Sequence, residues 1–172
     1  MKTQKLFYLT QICLRILAIA TSLSAASIMF TGRQSTFVFG TRFEARYSYS
    51  SAFMFFAIAN AVASAFSFLS LLYILIMCRQ HSNPTLYFFL FLHDLLMMLL
   101  VLAGCAAATA VGYIGKYGNS HIGWMAICGQ FGKFCNRVTS SIILSYLSVM
   151  FLLVLTIANA SRSRQVIPPV EC

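Results

Sequence analysis

The chain has 172 residues, of which 60% are hydrophobic and only 9% are charged, and its formal net charge is +9. A soluble domain carries about a quarter charged residues, so this composition excludes a soluble enzyme, which could not cover its core with polar surface. All but one of the basic residues are scattered between or beyond long apolar blocks, and they never form a run. This placement is typical of charges that flank membrane segments, and it argues against nucleic-acid binding.

Four apolar blocks are each long enough to cross a bilayer, which requires about 20 residues per helix. The blocks cover approximately residues 7–30, 52–77, 86–113 and 138–160. They are apolar around their whole circumference, which indicates that lipid rather than water surrounds them. The sequence therefore predicts an all-α membrane protein, with a single domain over residues 1–172 and four transmembrane helices.

Two charged side chains lie inside these blocks, Arg15 in the first and Asp94 in the third. Both lie about eight residues into helices that enter from the same side, so they reach similar depths. A charge at bilayer depth is costly and is normally paired, so we expect an intramembrane ion pair that fixes helix register. The alternative is a proton or ion relay that also uses His93, in a small transporter or channel.

Small residues at four-residue spacing mark a packing face on the third block, namely Gly104, Ala108 and Gly112. Such faces let membrane helices approach closely, because packing in lipid gains little from hydrophobicity. We expect these positions to lie in helix contacts of a compact four-helix bundle.

The loop between the first two blocks alternates apolar and polar residues, a strand period that is interrupted near Gly40. Its aromatic residues share one parity: Phe37, Phe39, Phe43, Tyr47 and Tyr49. The pattern predicts a short extracellular hairpin whose aromatic residues contact the membrane interface or a partner.

The loop between the third and fourth blocks contains Cys128 and Cys135. A disulfide in an oxidising compartment is the favoured interpretation, and it would place both termini in the cytoplasm. A metal site with His121 is the alternative, but it has no fourth ligand and no CxxC spacing, so we expect no metal. The sequence contains no hydrolase, P-loop or metalloprotease motif, so we expect neither catalysis nor a cofactor.

Several of these features resemble the plant CASP-like proteins, relatives of the Casparian strip membrane domain proteins. Arg15, Asp94 and the entry into the second helix at residues 49–61 are similar to that family. The clearest resemblance is in the second long loop, at Trp124, Gln130, Phe131, Gly132 and Phe134, beside Cys128 and Cys135.

The resemblance implies a MARVEL-like four-helix fold in the plasma membrane, with cytoplasmic N- and C-termini. It also implies a scaffold that forms homo-oligomers, and hetero-oligomers with related four-helix proteins, in the lipid bilayer. Such a scaffold would organise cell-wall-modifying enzymes. The first loop does not resemble the motif of the members that build the Casparian strip, so we expect a general CASP-like protein.

Overall fold

Four long helices form most of the protein in the computed structural model, which describes residues 2–38, 41–77 and 84–166. The helices are α1 (Lys2–Phe30), α2 (Ser51–Met77), α3 (Pro84–Tyr117) and α4 (Gly132–Val166). Each contains a segment that is long and apolar enough to cross a membrane. The four helices coincide with the four apolar blocks of the sequence.

The helices α3 and α4 are longer than their apolar blocks, which cover only residues 86–113 and 138–160. Apolar composition marks the lipid-buried part of a helix, whereas backbone hydrogen bonds continue the helix into the polar region beyond it. Pro84 starts α3, where its missing N–H costs nothing. The apolar blocks leave residues 114–137 between them as the expected second loop, but the longer helices reduce this loop to 118–131.

The four helices form a ring in which each packs against two neighbours. The helix α1 contacts α2 and α4, and α3 contacts the same two, so α1 and α3 lie diagonally opposite each other. Successive helices run in opposite directions. We call the end where α1 begins and α4 ends the tail end, and the end with the two long loops the loop end.

The small-residue face of α3 packs within the chain. A Cβ atom on Gly104 would lie 3.3 Å from the Cα of Phe56 and 3.4 Å from the Cβ of Ala59, both on α2. Ala108 is fully buried, and Gly112 faces α4. The small-residue face thus begins against α2 and ends against α4, because α3 packs between these two helices in the ring.

A two-stranded antiparallel hairpin follows α1, with strands β1 (Arg33–Val38) and β2 (Thr41–Arg46). It is held on the bundle where the backbone N–H of Phe134 donates to Oε1 of Gln34 at 2.8 Å. The hairpin agrees with the one that the alternating sequence predicts. Phe39 and Gly40 lie outside the described residues.

The aromatic residues of the hairpin do not share one face, although they share one parity in the sequence. Phe37 is paired with Arg42, whereas Phe43 is paired with Thr36, so their side chains lie on opposite faces. In this register directly paired residues have numbers of opposite parity, as in Phe37 with Arg42, so residues of equal parity on the two strands lie on opposite faces. Tyr47 lies beyond the strands, at the start of a 3₁₀ turn.

Candidate functional site

Arg15 and Asp94 form a bidentate ion pair across the diagonal of the bundle. Nη1 of Arg15 donates to Oδ1 of Asp94 at 2.9 Å, and Nη2 donates to Oδ2 at 2.7 Å. Both side chains are fully buried. The planar guanidinium matches the two carboxylate oxygens, so the pair fixes α1 against α3 in both position and rotation.

Residues from the other two helices complete this site. Nη1 of Arg15 also donates to Oγ of Ser70 on α2 at 2.5 Å, and Nδ2 of Asn159 on α4 donates to Oδ2 of Asp94 at 2.7 Å. Gln11 then donates through Nε2 to Oδ1 of Asn159 at 3.1 Å. We call these five buried residues the tail-end network; they join all four helices at one level.

The depth of the tail-end network is indicated by a pair of tyrosines nearer the tail end. The hydroxyl of Tyr87 donates to that of Tyr8 at 3.1 Å, and tyrosines are typical of membrane–water interfaces. Asp94 lies seven residues beyond Tyr87 on α3, or about 10 Å along the helix axis. At that depth an unsatisfied polar group costs several kcal/mol, so the contacts within the network are required for the bundle to close.

His93 contacts the same carboxylate from the outside of the bundle. Its Nδ1 lies 3.2 Å from Oδ1 of Asp94, and a quarter of its side chain is exposed. The structure thus brings His93, Arg15 and Asp94 together. With Asn159 included, each carboxylate oxygen has two nitrogen neighbours, and this arrangement fits a carboxylate held in place by helix contacts.

A second polar cluster lies closer to the loop end and joins α2, α3 and α4. Oγ of Ser145 donates to Oδ1 of Asn60 at 2.8 Å and accepts from Sγ of Cys105 at 3.1 Å. Nδ2 of Asn60 donates to the carbonyl of Phe56 at 2.9 Å. All of these side chains are fully buried, so the cluster satisfies their polar groups without water.

Serine side chains join α1 to α4 directly. Ser141 donates to the carbonyl of Ala25 at 2.7 Å, and Ser148 donates to that of Ala18 at 3.2 Å. The hydroxyls of Ser22 and Ser148 are 2.5 Å apart. Small hydroxyl residues therefore bring the two backbones close together, as is typical of membrane helices.

Sequence reasoning missed three members of the tail-end network: Gln11, Ser70 and Asn159. A signal was present for two of them, because Gln11, Asn60 and Asn159 are the amide side chains within the four apolar blocks. Amides at such depth are rare and need partners. Ser70 had no comparable signal, since serines are frequent in these helices.

The second loop is closed by a disulfide between Cys128 and Cys135, whose Cα atoms are 5.7 Å apart. Cys135 lies in the first turn of α4. On the other side, the backbone N–H groups of Ile127 and Cys128 donate to the carbonyl of Gly115 on α3 at 3.0 and 3.2 Å. The loop is therefore tied to both helices. His121 is exposed, and among the described residues no three metal-binding side chains form a cluster.

The loop-motif residues divide into an inner and an outer group. Phe134 is buried and packs edge-on against Phe53 of α2, with ring centroids 6.2 Å apart, and Phe131 packs against the same core. Gly132 begins α4. The outer group is exposed and consists of Trp124 and Gln130.

A tight backbone turn sets the position of Trp124. Asn119 and Trp124 exchange two backbone hydrogen bonds of 2.8 and 3.0 Å. Gly118 has a φ of +71°, and a Cβ atom there would lie 2.6 Å from the carbonyl oxygen of Trp124. Only glycine fits this position, and the turn holds Trp124 and its neighbour Met125 outward, 58% and 86% exposed.

Comparison with known proteins gives consistent matches over nearly the whole chain. Residues 4–151 match the Casparian strip membrane protein domain. The CASP-like protein 1F1 of Ricinus communis is 56% identical over 166 residues, which cover 96% of this chain and 93% of that protein. The CASP-like protein 1F1 of Populus trichocarpa is 55% identical over 165 residues, covering 96% and 91%.

A more distant relative is the CASP-like protein 1F1 of Arabidopsis thaliana, which is 38% identical over 154 residues, covering 90% of this chain and 89% of that protein. No solved structure matches the chain. The names of these relatives state no enzymatic activity. The matches confirm the resemblance that the loop motif indicates, together with the four-helix membrane fold.

Proposed function

Because the chain belongs to the family of plant proteins with a Casparian strip membrane protein domain, we propose that it is a non-catalytic scaffold of the plasma membrane. It self-associates into membrane domains and organises partners for local modification of the cell wall. Its partners are further copies of itself, related four-helix proteins and cell-wall-modifying enzymes. Both termini lie in the cytoplasm, and the loop end lies outside the cell.

The observation that carries this proposal is the use of the buried polar groups. The Asp94 carboxylate is engaged by Arg15 and Asn159, so its charge is compensated within the bundle. Several other buried hydroxyls also join helices to one another, such as those of Ser141 and Ser145. The interior therefore serves assembly, and the groups available to other molecules lie on the loops and on the lipid-facing surfaces.

The orientation is supported by the disulfide at the loop end. Disulfides persist in oxidising environments such as the cell exterior and are rare in the cytosol. The bridge between Cys128 and Cys135 therefore supports an extracellular loop end. The exposed Trp124 and Met125 then face outward, where wall-modifying partners are found.

Photobleaching tests the scaffold directly. A copy tagged at its C-terminus and expressed in plant plasma membrane should form discrete patches with slow fluorescence recovery. Fast and uniform recovery at ordinary expression would contradict the scaffold. The double substitution Trp124→Ala with Met125→Ala should speed recovery at unchanged surface level, because it removes the exposed loop contacts.

The matched control for that variant is Leu96→Ala with Leu99→Ala, which removes two half-exposed apolar side chains of α3. It should leave recovery close to that of the unaltered protein. Equal acceleration by both variants would show that recovery responds to apolar truncation in general, and it would contradict a role for the loop.

The second candidate function is a small proton- or ion-coupled transporter, which the contact between partly exposed His93 and Asp94 favours. Asp94→Asn separates the two functions. For a scaffold, the change should lower folding or surface level because it weakens the tail-end network. Loss of a measured proton or ion flux at normal surface level would establish transport instead.

A further inference from the structure

The loop end carries mostly positive charge. Six basic side chains and a single acidic one, Glu44, lie in its described residues, 31–38, 41–50 and 114–137. The basic residues are Arg33, Arg42, Arg46, Lys116, Lys133 and Arg137. Such a surface attracts polyanions and repels cations.

Three of these arginines share the outward face of the hairpin. Arg33 is paired directly with Arg46 across the strands, and Arg42 lies further along the same face. Like charges in directly opposed positions destabilise a sheet. Glu44 compensates only one of them, since its Oε1 lies 3.2 Å from Nε of Arg46. The arrangement therefore favours binding of an anion beside Arg33.

A concave site lies at this position. An open cavity of about 500 Å³ is lined by residues that include Thr31, Arg33, Arg46, Tyr47 and Ser48. Its size is within the range of small-ligand pockets. The lining residues include two arginines, two residues with aliphatic hydroxyl groups and a tyrosine, which offer contacts for charge, for hydroxyls and for the apolar face of a ring.

We propose that this cavity binds a carboxylate-bearing glycan, namely a uronate oligosaccharide of the cell wall. Guanidinium groups bind carboxylates through two parallel hydrogen bonds, and two adjacent arginines match carboxylates that repeat along a polymer. The hydroxyls of Tyr47 and Ser48 suit the sugar between them. This inference rests on the proposed function only for the orientation that places the loop end against the wall.

Titration calorimetry on the full chain in nanodiscs of uncharged lipid tests the site, with a short oligogalacturonate as the probe. Binding should be measurable at low ionic strength and should weaken as salt is added. The fully methyl-esterified oligosaccharide, which lacks the charge, should not bind. Failure of the acidic probe to bind, or equal binding of both probes, would overturn the proposal.

Arg33→Gln with Arg46→Gln should weaken binding by about tenfold or more, because it removes both guanidinium groups that bind the carboxylates of the probe. Both side chains are exposed, so the fold should persist. The matched control is Lys116→Gln with Lys133→Gln, which removes the same charge from the loop end outside the cavity. Equal weakening by the two variants would show that binding depends on the net charge of the loop end and not on the cavity, and it would overturn the proposal.

Glu44→Gln should change the affinity for the probe in the opposite direction. It releases Arg46 from its exposed ion pair, so affinity for the probe should rise about two- to fivefold. A fall in affinity would contradict the assigned geometry.

Two competition experiments test whether the cavity binds other anions instead of the glycan. Inorganic phosphate, and vesicles that contain phosphatidic acid, should displace the oligogalacturonate only weakly. Displacement at concentrations equal to that of the glycan would identify a general phosphate or lipid-headgroup site and overturn the proposal.

The test of glycan binding can be distinguished from the test of the scaffold. Glycan binding in nanodiscs requires no self-association, so binding that accompanies fast photobleaching recovery would contradict the scaffold alone. Slow recovery without glycan binding would contradict this inference alone.

Discussion

At the scale of single residues, the buried ion pair is more important for specificity than for net stability. Removing two charges from water costs about as much as their attraction returns, whereas removing one partner leaves an uncompensated charge. Arg15 and Asp94 form further hydrogen bonds with Ser70 and Asn159, which lower the cost of burying the pair, although Nε of Arg15 has no hydrogen-bond partner among the described residues. Their geometry accepts only one rotation of α1 relative to α3.

A charge swap tests the contact between Arg15 and Asp94. Arg15→Asp or Asp94→Arg alone should lower the free energy of unfolding by about 3–5 kcal/mol, because each places like charges together in the bundle. The double swap should recover about 1–3 kcal/mol, and recovery stays incomplete because Asn159 then presents a donor to a guanidinium. Denaturant titration in detergent, followed by helicity, measures both.

The control for this experiment is the exposed pair Glu44 and Arg46, whose two side chains are 41% and 43% exposed. Glu44→Arg and Arg46→Glu should each change the free energy of unfolding by less than about 1 kcal/mol. No recovery in the double swap of Arg15 and Asp94 would count against their contact.

At the scale of elements, composition predicted which segments cross the membrane but not how their faces are used. A run of apolar residues identifies a lipid-embedded helix whatever its rotation. The partners of Asp94 depend on the rotation of each helix in the ring, so Ser70 and Asn159 were not predicted. Parity in the first loop likewise predicted a hairpin, but the face that each aromatic residue occupies depends on the strand register, which places Phe37 and Phe43 on opposite faces.

The two glycines of the α3 face should respond differently to the same substitution. Gly104→Ala should destabilise the bundle by about 1 kcal/mol or more, because its Cβ would meet the backbone of Phe56 at 3.3 Å. Gly112→Ala should stabilise it by about 0.5–1 kcal/mol, since a Cβ there makes ordinary contacts of 3.8 Å and alanine favours helix.

Thermal unfolding in detergent, followed by circular dichroism, compares the two glycine variants under one condition. A bundle that tolerated Gly104→Ala as well as Gly112→Ala would show that α2 and α3 can separate without cost. That result would contradict a tight α2–α3 contact.

At the scale of the whole molecule, the two ends of the bundle are held by different chemistry. The tail end is locked by the network around Asp94, whose five members are all buried. The loop end is held by a hairpin attached through Gln34 and by a disulfide-closed loop. The two ends should therefore respond separately to perturbation.

Removing the disulfide tests that separation. Cys128→Ser with Cys135→Ser should leave the helical melting temperature nearly unchanged, because the bridge joins the second loop to the first turn of α4 and holds no contact between the four helices. Amide exchange at Ile127 and Trp124 should accelerate, since their hydrogen bonds hold the loop against α3 and itself.

Thiol labelling reports whether the bridge forms in cells. In surface-expressed protein, Cys128 and Cys135 should resist alkylation until a reductant is added, whereas Cys135→Ser alone should make Cys128 reactive at once. Mass spectrometry of the labelled peptides distinguishes the two states. Free thiols at both positions in the unaltered protein would refute the bridge.

The ion pair also has a consequence for biosynthesis. Arg15 leaves the ribosome 79 residues before Asp94, so α1 enters the translocon with a charge that has no counterpart yet. Placing an arginine near the centre of a lone helix costs about 2.5–3.5 kcal/mol during insertion. Either the apolar residues of α1 offset that cost, or α1 is retained at the translocon until α3 has been synthesised. During synthesis the ion pair can therefore form only after the third helix has arrived.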